Sequence, residues 1–150
     1  MKRVALAVMS VATALAVAPM AAAEPAPGAS CPAPDALTKL PDHTVLTCAG
    51  GTWTTFGGPY PSSETWVSDV TGITLHGQGL RNPEIMSGAW TATPLDPAAV
   101  CVVQQASVVS AGEVGPAETT TGQPGQPLDF QVLPVVFSIT LSGDCLWQKR

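Results

Sequence analysis

A serine nucleophile, a histidine base and an orienting acid are all available in this chain: Ser62 and Ser63, His43 and His76, Asp42 and Asp69. Acyl transfer by such a set needs the serine exposed on a strained turn, as a Gly-x-Ser-x-Gly elbow holds it, and no such elbow occurs. Paired carboxylates can open a glycosidic bond. The available pairs are Asp129 with Asp144, and Glu64 with Asp69 on either side of Trp66. Acids so scattered are ordinarily solvated surface groups. His43 beside Asp42 is a bare hint of a metal ligand, with no His-Glu-x-x-His, calcium-loop, Cys-x-x-Cys or phosphate-cradling glycine motif anywhere. The sequence therefore predicts no catalytic residue, no metal and no cofactor. The first expectation is a non-enzymatic binding or interaction protein.

Trp53, Trp66, Trp90 and Trp147 stand out against one Tyr and three Phe. An indole face can stack on a sugar ring or grip an apolar ligand, so these four are candidate ligand contacts. They support an alternative function, a carrier of a small apolar or carbohydrate ligand. The competing expectation is that they fill a core otherwise built from Ala, Val and Thr, and the composition favours it. A hydrolase whose residues meet only in space is the third reading.

What must position these residues starts at the N-terminus. Lys2 and Arg3 precede an uncharged apolar run over 4–18, then Pro19 and the small residues Ala21, Ala22 and Ala23 before Glu24-Pro25. Basic, apolar and small in that order predict a signal peptide over 1–23, cut after Ala23. The apolar run is shorter than the roughly 20 residues that cross a bilayer. Lipidation at Cys31 is disfavoured, because Gly28 stands where a Leu-like residue is needed. Removal of 1–23 leaves 4 basic against 11 acidic residues, a net charge of −7. Such a balance gives no electrostatic drive towards nucleic acid or anionic lipid. The expected location is secreted or extracytoplasmic, at the cell envelope or in the medium.

All four cysteines, Cys31, Cys48, Cys101 and Cys145, fall after that segment. An even number in an exported chain predicts two disulfides. Three pairings are possible. Nearness in sequence favours Cys31 with Cys48 and Cys101 with Cys145.

Residues 24–34 are rich in Pro, Ala, Gly and Ser and predict a flexible lead, followed by a single domain over 35–150. Asp35 is placed to cap one helical turn through Ala36, Leu37 and Leu40, stopped by Pro41. Beyond it no helical periodicity persists. Short Val-, Thr-, Ile- and Trp-rich runs separated by Gly and Pro predict an all-β domain, a small sandwich or barrel of about 7–8 strands. The clearest is 135–141, with Val135, Phe137, Ile139 and Leu141 expected on the buried face. Others are 128–132, 100–105, 44–48, 52–56, 65–70, 73–76 and 89–93. The stretch 110–127 holds four Gly and three Pro and reads as a mobile loop. Gly51-Thr52-Trp53-Thr54-Thr55 faintly echoes Gly88-Ala89-Trp90-Thr91-Ala92, too briefly to establish a repeat.

Ser87-Gly88-Ala89-Trp90, Cys101-Val102-Val103, Gly125-Gln126-Pro127 and Gly143-Asp144-Cys145-Leu146-Trp147 resemble small exported disulfide-containing β proteins of actinobacteria, mycobacteria among them. The likeness covers the C-terminal half. It implies export, β structure and a Cys101–Cys145 bridge, and it carries no catalytic residue.

Overall fold

The computed structural model describes residues 23–150, so the leader read over 1–23 lies, apart from Ala23, outside the described residues. Twelve strands follow one another: β1 (Leu37–Lys39), β2 (Val45–Ala49), β3 (Thr52–Thr55), β4 (Thr65–Ser68), β5 (Ile73–His76), β6 (Gly88–Pro94), β7 (Val102–Ser110), β8 (Glu113–Val114), β9 (Glu118–Thr121), β10 (Leu128–Val132), β11 (Val136–Ser142) and β12 (Cys145–Lys149). They form a seven-stranded sheet ordered β10-β6-β12-β4-β1-β2-β3 and a smaller sheet ordered β5-β11-β7-β8, with β9 also on β7. The sheets do not close on each other, so the fold is a sandwich rather than a barrel.

The apolar alternation read in the sequence builds the space between the sheets. Trp66, Trp90, Ala92, Cys145 and Trp147 of the large sheet meet Ile73, Leu75, Val103, Ile139 and Leu141 of the small one, all buried. Each indole buries on the order of 150–250 Å², so three of them fill what small side chains leave open. Their N–H groups are satisfied: Trp66 Nε1 donates to Ser63 O at 3.2 Å, Trp90 Nε1 to Met86 O at 2.9 Å and Trp147 Nε1 to Ser68 Oγ at 2.8 Å. Ser68 Oγ in turn donates to Gly143 O at 2.6 Å. Phe130 meets Trp147 edge to face at a centroid distance of 5.7 Å.

A second apolar cluster covers the outer face of the large sheet: Ala36, Leu46, Cys48, Trp53 and Val67, with Ala29, Cys31, Ala33, Leu40, Leu95 and Leu146 against it. Trp53 and Trp90, the two halves of the pentapeptide echo, thus point to opposite faces of one sheet. The cover comes from the stretch expected to be a flexible lead. Gly28 N donates to Trp53 O, Trp53 N to Ala29 O and Cys31 N to Gly51 O. That stretch lies along β3 because Pro-rich chain without helix propensity meets an exposed strand edge.

Both disulfides form, Cys31–Cys48 and Cys101–Cys145, with no free cysteine. The first ties the N-terminal stretch to β2. The second, buried on both sides, joins the start of β7 to β12 and so links the two sheets. Two buried or half-buried staples suit an oxidising, extracytoplasmic environment.

Four local expectations are corrected. Asp35 does not cap a helix: its φ is +60°, and the residues after it enter β1 against β2 and β4. Tertiary pairing outweighs one short turn of helix propensity. In the strand read at 135–141, a bulge between Val136 and Ser138 shifts the register on β7. Val136 is therefore buried and Val135 exposed, the reverse of strict alternation. The stretch 110–127 is not a structureless loop; it contributes β8 and β9, both paired to β7. A strand absent from the sequence reading, β12, lies between β6 and β4.

In the chain-entropy description, closing 44 residues contributes about 4 kcal/mol and closing 17 about 3 kcal/mol. Replacing Cys101 and Cys145 together by Ala is expected to cost at least that larger amount in a denaturant titration. Replacing Cys31 and Cys48 should cost less and loosen mainly the N-terminal stretch. Equal losses, or none from the inter-sheet pair, would contradict the roles given to the bridges. The indoles are 0–2 % exposed, so native tryptophan emission should resist iodide quenching, and strong quenching would contradict their burial.

Candidate functional site

The residues capable of acyl transfer do not meet. Ser62 and Ser63 line a depression with Glu64 and Asp35, whereas His43 and His76 line another with Lys39. Ser63 Oγ is committed to Thr65, donating to its carbonyl at 2.9 Å and accepting from its N–H at 3.0 Å. Asp42 accepts from Thr44 N at 2.9 Å, which holds its carboxyl below the usual range, and His43 turns the chain beside it with φ +68°. Among the described residues no group of three or more His, Cys, Asp or Glu is arranged to hold a metal ion.

The carboxylate pairs also separate. Glu64 pairs with Lys149 at 3.2 Å, and Asp129 with Arg150 at 3.3 Å while accepting from Thr91 Oγ1 at 2.6 Å. Asp69 and Asp144 do share a cleft of ≈ 250 Å³, floored by Trp53, Val67, Leu95 and the Cys31 side of its disulfide. Asp69 Oδ1 there accepts from Thr71 N, Thr71 Oγ1 and Gly72 N and so shapes a turn. Burial, then the charges of Asp69, Asp96 and Glu24, hold the Asp144 carboxyl above its ordinary range. The tryptophans present no stacking face to solvent, and only the buried Trp53 touches this cleft.

The sheet edges differ sharply from one another. A sheet edge carries unpaired N–H and C=O groups, which natural proteins usually cover. At β3 the stretch 28–31 takes both backbone groups of Trp53. At β5 a buried ion pair does the same work. Glu84 Oε2 accepts from His76 N at 2.8 Å, and His76 O accepts from Glu84 N. Lys39 Nζ lies 2.6 Å from Glu84 Oε1 and donates to Thr74 O at 3.1 Å. His76 is thereby engaged at both backbone groups and Thr74 at its carbonyl.

The opposite side of the sandwich is open. β9 and β10, the edge strands there, flank a groove of ≈ 300 Å³ lined by Gln105, Ser107, Glu118, Thr120, Phe130 and Gln131, with Leu133 at its end. In β9 the register on β7, with Gly122 N donating to Cys101 O, alternates so that Thr119 and Thr121 turn their backbone groups away from β7. All four residues of β9 are exposed. Across the groove, Gln105 Nε2 donates to Gln131 O at 3.1 Å, while its Oε1 is buried without a partner, alone in this respect among the described side chains. Beyond Leu133 lie exposed Val135, Val109 and Val114 around the β7–β8 turn.

Neither Gln105 nor β9 figures among the sequence candidates. The usable signals were Glu118-Thr119-Thr120-Thr121, a β-branched run amid Gly and Pro, and a Gln falling on the inward phase set by Cys101 and Val103. No protein family, no curated protein and no solved structure matches the chain.

Proposed function

We propose that this chain is an exported, non-enzymatic interaction module that binds an extended polypeptide segment along β9. The observation that carries this reading is the contrast between edges: β3 is covered at Trp53 and β5 at His76 and the Thr74 carbonyl, while Thr119 and Thr121 both offer unengaged backbone groups. Strand addition uses such groups for affinity and neighbouring depressions for side-chain choice. Gln105, which lines the groove, holds a buried Oε1 without a partner, and Phe130 and Leu133 in the lining supply apolar contact. An unpaired buried acceptor costs about 1–3 kcal/mol until it finds a donor. Export, with cleavage after Ala23, rests on the leader pattern over 1–23 and on two disulfides, and the likeness to actinobacterial exported proteins belongs to the same reading. Burial of the four tryptophans weighs against a carrier that stacks its ligand on indole rings.

A displayed library of random extended peptides is the test. Selected peptides should shift the amide resonances of 118–121 and lose at least tenfold affinity for Thr121→Pro, which removes an outward N–H that the β7 ladder does not use. Gln105→Leu should weaken binding while changing stability little. Binders that map elsewhere, or that bind a folded Thr121→Pro protein equally well, would overturn the proposal.

A further inference from the structure

The cleft shared by Asp69 and Asp144 is also lined by Ala23 and Pro25, so the Ala23–Glu24 peptide bond lies at its mouth. Asp69 and Asp144 both line it, and the partly buried Asp144 also feels the negative charges of Asp96 and Glu24. No described basic side chain answers them. Lys39 is paired with Glu84, Lys149 with Glu64 and Arg150 with Asp129, and Arg81 pairs with none of the four. Elsewhere in the chain, acids drawn into packed positions have a cation or a row of N–H donors, as Glu84 does. Asp144 has neither among the described residues.

We infer that cleavage between Ala23 and Glu24 completes this cleft, by creating an α-ammonium group at Glu24 that pairs with Asp144 and Asp69 and fastens the N-terminal stretch to the sandwich. The inference rests on the reading of 1–23 as a removable leader. The chemistry balances simply: a leader peptidase adds one water across the amide, giving a carboxylate on Ala23 and an amine on Glu24. An α-amine has an ordinary pKa of about 8 and is protonated at neutral pH. The chain is already in place to deliver it. Backbone hydrogen bonds hold 28–31 to β3, and the Cys31–Cys48 bridge anchors the same stretch, leaving a tether of few residues back to Glu24. One positive charge then stands at a cleft lined by Asp69 and Asp144, which come from the turns after β4 and β11. The new charge thus acts on the mature form alone.

The test compares three proteins made with defined N-termini: residues 24–150 with a free amine, the same chain acetylated at Glu24, and the chain extended by Ala23 and one further Ala. The free form should melt several degrees above the other two at pH 6. That gap should close as pH rises through the amine's folded-state pKa, which should lie above 8 by NMR titration. The sign follows from the pairing: a raised amine pKa adds stability that is full below the unfolded value near 8 and is lost above the folded one. Asp144→Asn should abolish the gap, lowering the melting point of the free form while leaving or raising that of the acetylated form. Equal melting of all three at pH 6, or an amine pKa at or below its ordinary value, would overturn the inference. Mass spectrometry of the naturally exported protein tests the leader reading separately. An N-terminus other than Glu24 would defeat that reading while leaving the ion-pair measurement on the defined proteins intact.

Discussion

A two-sheet sandwich has four edges, and every edge strand carries backbone groups that must find water, a neighbour or a partner. How this chain meets that constraint organises most of its polar chemistry. The two edges on one side draw on its N-terminal stretch and the Lys39–Glu84 ion pair. The Lys39–Glu84 pair is costly to desolvate, and a buried pair of this kind is weak evidence for net stability. Its value here is geometric, since it fills the outward positions of β5 with groups no incoming strand can displace cheaply. On the other side the chain makes no such investment, and a groove opens between β9 and β10. Placement of polar groups at edges therefore separates a partly covered flank from a receptive one.

The interior makes this asymmetry affordable. A chain with 11 % charged residues has few surface ion pairs to draw on. Three indoles and a buried disulfide hold the sheets together instead, and the disulfide acts mainly by restricting the unfolded chain. The Gly143 turn shows how tightly this is done. Its φ of +93° and the approach of Val100 O leave no room for a Cβ, and Gly143 O accepts the Ser68 hydroxyl that supports Trp147. One tight turn thus connects the inter-sheet disulfide, the tryptophan core and the acidic cleft beside Asp144.

Much of this architecture was legible in the sequence. The eight runs of β-branched and aromatic residues all became strands, because half-buried pleated surface selects those residues at period two. Cysteine spacing favoured, among three possible pairings, the two bridges that form. The helical turn at Asp35 failed because three residues of strand pairing decide that segment and leave no trace in local propensity. The face of β11 failed before Ile139 because a bulge has no composition signature of its own. β9 was hidden in a Gly- and Pro-rich stretch whose composition resembles a loop. Its Thr run needs only one partner strand and no buried face. The groove was illegible for a related reason. It forms where β7, β9 and β10 converge, and an inward Gln105 has significance only once its unpartnered oxygen is placed there.

Amide hydrogen exchange of the dilute monomer tests the contrast between flanks most directly. Trp53 and His76, whose outward N–H groups are donated to Ala29 O and Glu84 Oε2, should exchange slowly. Thr119 and Thr121 should exchange at rates close to those of an unfolded peptide, while Thr120 between them stays protected. Slow exchange at all of these positions would mean that the β9 edge is already closed, and the account of a receptive flank would fail.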